Sequence, residues 1–267
     1  MTIFRIRKSL IRYSGLTSAA LGLVFVPAAS LAAVVYPTTC AIAQYELLST
    51  YHELSNTPKD NKLKQNVSVT NKVLSDCIQS INGQLSSDSA NSLKNANDAM
   101  NGELVYNLNA LEKSGASQGQ PLLNMVNHAL QTTSILTSQK SGINPTTTSI
   151  RKLAVQVAYL KNRYLERIYS LGGDANRDAS AEPTIEQIVA DFSLKLDVLR
   201  KDKSLTSRAE INKKLNAAHV RFNFLRKSIL DYNNTAVPFV VTHHSSFIIK
   251  SLLEVADAAE LEKPVSS

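Results

Sequence analysis

The residues best suited to gripping a ligand lie between Arg151 and Arg167. Gln156, Tyr159, Arg163 and then Glu166 or Arg167 recur three or four apart, so on a helix they share one edge. A guanidinium on such an edge, turned towards a bundle interior, takes a carboxylate or another small anion through two parallel hydrogen bonds. The same pattern describes a solvated face whose long side chains lay their stems over apolar neighbours, which is the commoner use of these residues. Gln156, Tyr159, Arg163 and Arg167 are therefore the candidate ligand contacts, and a small anion is the ligand class.

His243-His244 forms the second cluster. Adjacent residues on a helix point about 100° apart, so the pair does not face one metal ion. His244 falls on an apolar stripe and reads as a core or boundary histidine. The chain has no Gly-x-Ser-x-Gly, no Ser-x-x-Lys with its partner motifs, no phosphate loop and no His-Glu-x-x-His. It also lacks the Glu-x-x-His of di-iron bundles and the Cys-x-x-Cys-His of covalent haem. The stretch Gly172-Gly173-Asp174-Ala175-Asn176-Arg177-Asp178 offers oxygen ligands without the spacing of a calcium loop or its closing Glu, and reads as a solvated loop. The expectation is a protein that is not an enzyme and carries neither metal nor cofactor.

The N-terminus bears on compartment. Arg5, Arg7, Lys8 and Arg12 precede a small and apolar run from Leu16 to Leu31, and Ser30-Leu31-Ala32 presents small residues where a signal peptidase reads. Residues 1–32 thus read as a cleaved secretory signal, with an uncleaved anchor as the competing reading because the apolar run reaches Val35. The formal charge of +7 includes those four cations; 29 − 4 leaves 25 basic residues against 22 acidic, or +3. So small an excess gives little electrostatic ground for nucleic-acid binding. The expected location is the periplasm of a Gram-negative bacterium, or outside the cell, with no membrane association once the signal is removed.

Between the prolines and glycines lie segments whose apolar residues recur three and four apart. Eight helices are predicted: Thr39 to Leu54, Lys62 to Ile81, Ser87 to Lys113, Pro121 to Gln139, Thr147 to Leu171, Thr184 to Lys201, Thr206 to Tyr232 and Ala236 to Leu261. The seventh carries Ile211, Leu215, Ala218, Phe222, Leu225, Ile229 and Tyr232, an unbroken 4-3 alternation. Such stripes specify long antiparallel helices packed at shallow angles. Thr184 followed by Glu186 and Gln187 resembles a capping box, and Thr206 or Ser207 is placed to cap the helix that carries Glu210. The fold class is all-α, built as up-down antiparallel bundles. Two tandem four-helix units are expected, residues 33–142 and 146–261, with a short tail over 262–267; their matched lengths suggest an internal duplication.

Cys40 and Cys77 are the two cysteines. In an oxidising compartment pairing is their default. Their sequence midpoint, (40 + 77)/2 = 58.5, falls in the Asn56-Thr57-Pro58-Lys59-Asp60 turn. A tight hairpin about that turn sets the two opposite each other, so the expected role is a structural disulfide.

The fifth helix resembles the N-terminal sensory domain of type IV pilus methyl-accepting chemotaxis transducers, and more distantly nitrate-sensor bundles. That family carries a pattern like Leu-Ala-Gly-Arg-Gln-Arg-Met-Leu-Ser-Gln-Arg, and the matching stretch runs from Leu153 to Arg163. Leu153, Ala154, Leu160 and Arg163 agree by residue, while the Gly and two Arg of the pattern are absent. Leu48-Ser49 echoes the motif more faintly. The resemblance implies a periplasmic sensor-like bundle that binds a small ligand or an envelope protein. The alternative is a structural or assembly component of a pilus, secretion or conjugation apparatus.

Overall fold

Two prolines start the helices around which the molecule is organised. Pro37 and Pro145 lack the N–H that a first helical turn leaves unpaired, and each is followed by Thr-Thr-x-x-Ile. The computed structural model describes residues 35–116, 119–139, 144–169, 183–231 and 235–261. Among these there is no strand, and nine α-helices appear: α1 (Pro37–Asn56), α2 (Asn61–Ile81), α3 (Ser87–Ser114), α4 (Gly119–Ser138), α5 (Pro145–Tyr169), α6 (Ile185–Lys201), α7 (Lys203–Thr206), α8 (Ala209–Leu230) and α9 (Pro238–Leu261). The all-α fold predicted from periodicity is the fold found. Residues Val35–Ser267 form one compact unit.

The helix ends follow local chemistry. Asp60 accepts the free N–H groups of Lys62 and Leu63 at 2.8 and 3.1 Å and starts α2. Gly115, at φ +71°, closes α3 in the left-handed conformation that costs glycine least. Thr184 and Gln187 form the expected capping box, with Thr184 N donating to Gln187 Oε1 at 2.8 Å and Gln187 N to Thr184 Oγ1 at 3.3 Å. The expectation for Thr206 and Ser207 is corrected. Asp202 takes the Ser204 N–H at 2.8 Å and starts the one-turn α7, whose Leu205 is buried. Thr206 ends that turn, donating to the Asp202 carbonyl, and α8 begins after Arg208 with no side-chain cap. Hence nine helices stand where the periodicity gave eight.

The disulfide is formed between Cys40 on α1 and Cys77 on α2, with Cα atoms 5.5 Å apart, inside the ordinary range for a bridge. It sits beside the core: Cys40, Leu47, Tyr51 and Leu54 are buried along one stripe of α1.

Helices α1 and α5 differ from the rest in being buried almost all round. Fourteen of the twenty residues of α1 and fifteen of the twenty-five of α5 are buried, more than a single amphipathic stripe would give. Helix α1 packs on α2 and α4 with one face and on α5 with the other; α5 packs on α1, α6 and α9. Helix α8 packs against α6 and α9, and α3 pairs with α4. The contacts Tyr36–Arg151, Tyr45–Tyr159 and Glu46–Lys161 climb both chains in the same direction, so α1 and α5 run parallel. The buried apolar side chains of these helices form one continuous core, in which Phe192 of α6 and Phe222 of α8 meet at 4.3 Å.

Candidate functional site

The seam between α1, α5 and α9 gathers the buried charge of the molecule's described part. Arg151, Lys161, Arg163 and Glu166 on α5 are all buried. An unpaired charge taken out of water costs several kcal/mol, so each requires a partner. Arg151 stacks its guanidinium 3.6 Å above the Tyr36 ring and donates through Nη2 to Asp257 Oδ1 at 2.7 Å and Glu260 Oε2 at 2.8 Å. The Tyr36 hydroxyl donates to the same Glu260 oxygen at 2.7 Å. Burial, then this hydrogen bond, push the Tyr36 phenol up to about 12, against the pull of Arg151. Nearly three turns further along α5, Lys161 donates to Glu46 on α1.

Beyond that pair, Thr242 Oγ1 of α9 donates to Glu53 Oε1 at 3.3 Å. Burial raises the Glu53 carboxyl above its ordinary range, with Lys161 and the Thr242 hydroxyl acting against the rise. Burial raises the Tyr169 phenol too, and the Glu53 charge adds to it. Tyr164 is also pushed up by burial, while its oxygen accepts the Val237 N–H at 2.9 Å and so ties α5 to the start of α9. Between the Glu46 and Glu53 levels, the buried side chains of Ser49, Asn162 and Ser245 have polar atoms without a hydrogen-bond partner.

The four residues read from the sequence as ligand contacts are distributed along this helix and do not converge on one chamber. Gln156 donates to Asp191 Oδ2 at 2.7 Å and fastens α5 to α6. Tyr159 lays its ring 5.2 Å from that of Tyr45 and lines the α1 side. Arg163 is buried, with Nη1 3.6 Å from Glu166 Oε2 one turn away. Arg167 is half-buried near the end of α5. A cavity beside Arg151, bordered by Tyr36, Thr38 and Gln139, measures about 10 Å³. That holds a single water, far below the hundreds of Å³ of a small-molecule site.

Arg151 and Lys161 carry this seam, and neither is among those four contacts. Lys161-Asn162-Arg163 has the look of a solvent-facing run, whereas all three are buried. The available signal was indirect: Glu46 and Glu53 are the two acidic residues of α1, and both lie off its Cys40–Leu54 stripe. The loop from Gly172 to Asp178 lies outside the described residues, as does the N-terminal segment 1–34. Among the described residues no group of three or more histidine, cysteine or carboxylate side chains could hold a metal ion, and no helix is long and apolar enough to cross a membrane. No family model, no curated protein and no solved structure matches the chain.

Proposed function

We propose that the chain is a non-enzymatic helical-bundle module of the bacterial periplasm that works by binding a partner protein over its outer surface, as part of a sensor-like or pilus-associated system. The observation that carries this reading is the contrast between interior and surface. Arg151 and Lys161, the interior cations best placed for a ligand, are paired with carboxylates of the same chain, and the cavity at Arg151 admits one water. Outside, Leu194 and Val198 on α6 and Val220 and Phe224 on α8 stand more than half exposed. Each pair is spaced one turn apart, as anchors of a helical contact face are. The basic and apolar N-terminal segment supports export.

The test is photo-crosslinking in cells from residue 194, 220 or 224, with residue 72 or 94 as the control. The controls sit in exposed Lys–Asp pairs on α2 and α3. A discrete adduct with an envelope protein from the first group alone supports the reading. No adduct, together with a rise in the melting temperature of the full chain in nitrate, phosphate or citrate, replaces it with the small-anion reading.

A further inference from the structure

Between Phe224 on α8 and Phe239 on α9 four rings touch in succession. Phe239 stacks on His243 with centroids 6.0 Å apart, His243 meets His244 at 5.4 Å, and His244 meets Phe224 edge-on at 5.0 Å. Phe239 is 75% exposed and Phe224 58%. In the middle of this row lies Arg221. Its guanidinium rests 3.6 Å above the Phe247 ring, and Nη1 is 3.2 Å from His244 Nδ1. With Nδ1 accepting from the guanidinium, His244 is neutral and carries its proton on Nε2. Burial, Arg221 and His243 all hold its pKa below the ordinary histidine value, which favours that state.

Among the described residues no carboxylate pairs with Arg221, whereas Arg151 has two such partners and Arg200 one. The surroundings share its sign. From Ile211 to Leu230 and from Pro238 to Leu253 there is no Asp or Glu, while Lys213, Lys214, Arg221, Arg226, Lys227 and Lys250 are present. Of these, Lys214 and Lys250 are engaged by Glu254. A guanidinium propped flat on an aromatic ring has lost most of its rotamer freedom before it binds. What it lacks is a planar two-oxygen acceptor.

We infer that the α8–α9 face is the docking surface for an acidic amphipathic segment of a partner protein, with Arg221 gripping a carboxylate and Phe224 and Phe239 holding apolar side chains beside it. From Phe239 to Phe247 the row runs about 12 Å along α9, two turns of a docked helix. A bilayer is a poorer occupant: two well-exposed rings offer little area for insertion. The inference rests on the partner-binding reading above and names its surface and chemistry.

The test uses the full chain and fluorescein-labelled peptides of about four helical turns in which Glu and Leu recur three or four apart. A Glu→Gln version of the peptide, and vesicles of phosphatidylglycerol or of phosphatidylcholine, are run beside it. The expected result is saturable binding of the Glu peptide, about tenfold weaker for the Gln version and for Arg221→Gln, and intermediate for Arg221→Lys. Phe224→Ser, at an exposed position that leaves the core untouched, weakens it too; Lys94→Gln does not. Equal binding by wild type and Arg221→Gln, no binding of the Glu peptide, or binding to phosphatidylglycerol vesicles alone overturns the inference. An envelope-protein adduct that persists in cells for Arg221→Gln rejects this face and leaves the partner-binding reading standing; loss of every adduct in the wild type rejects both.

Discussion

Replacing Lys161 by Met separates the electrostatics of the α1–α5 seam from its packing. The side chain of Lys161 is 1% exposed and that of Glu46 34%. Methionine keeps most of the volume, so cavity formation contributes little. What changes is that Glu46 loses its cation and Glu53 loses the charge that holds its carboxyl down. Breaking a fully buried pair costs about 3–5 kcal/mol. Water reaches a third of Glu46, so the expected loss is nearer 2–3 kcal/mol at pH 7. For a chain of this size that lowers the melting temperature by about 5–10 °C. Urea unfolding followed by circular dichroism at pH 7 and pH 4.5 is the assay. The deficit should shrink at the lower pH as Glu53, whose carboxyl burial already raises, takes up its proton. Adding Glu46→Leu should recover most of it at pH 7, because a buried pair replaced by two apolar side chains is near neutral. A loss below about 0.5 kcal/mol, or a double variant no better than the single, would refute the view that the pair compensates buried charge.

Glu53→Gln should stabilise the protein at neutral pH. The folded carboxyl sits above its unfolded value, so ionising it opposes folding above that value and the penalty fades as pH falls through it. A gain in melting temperature that is larger at pH 7 than at pH 4 is the expected outcome, with the Thr242 hydroxyl still served by the amide oxygen. Cys77→Ser should cost about 3–4 kcal/mol on the chain-entropy account of a 37-residue separation, read as a lower urea midpoint that reductant does not lower further. Thr184→Ala should cost about 1 kcal/mol through loss of the capping box on α6, measurable in the same unfolding experiment.

Sequence periodicity reached the outer helices most fully. On α8, every residue of the predicted stripe from Ile211 to Ile229 is buried, because a helix with one partnered face writes that face as a 4-3 repeat. Cys40 and Cys77 were legible for a similar reason: a two-helix hairpin fixes which residues lie opposite. The central helices resisted the same treatment. Their second faces are covered by distant parts of the chain, and those faces are built from Thr38, Ser49, Arg151, Lys161 and Asn162, residue types whose usual place is the surface. Gln156, Tyr159, Arg163 and Arg167 do lie along one helix, but Gln156 answers to α6 and Tyr159 to α1, a division that spacing on α5 does not encode. Asp202 shows the same limit on a small scale, starting a one-turn helix that periodicity cannot register.

The parallel pairing of α1 with α5 has a bearing on how the chain acquires its shape as it emerges. Contacts such as Glu46 with Lys161 span 115 residues, so the flank of α1 that carries Ile42, Tyr45 and Ser49 has no companion until the chain as far as α5 has emerged in the compartment where it folds. The earlier helices form their local hairpins quickly, but completion waits on loop closure across more than a hundred residues, the slow step in chains of high contact order. Until then an emerging N-terminal half offers a sticky, partly hydrated edge to whatever lies nearby, which is the situation that escorting chaperones relieve.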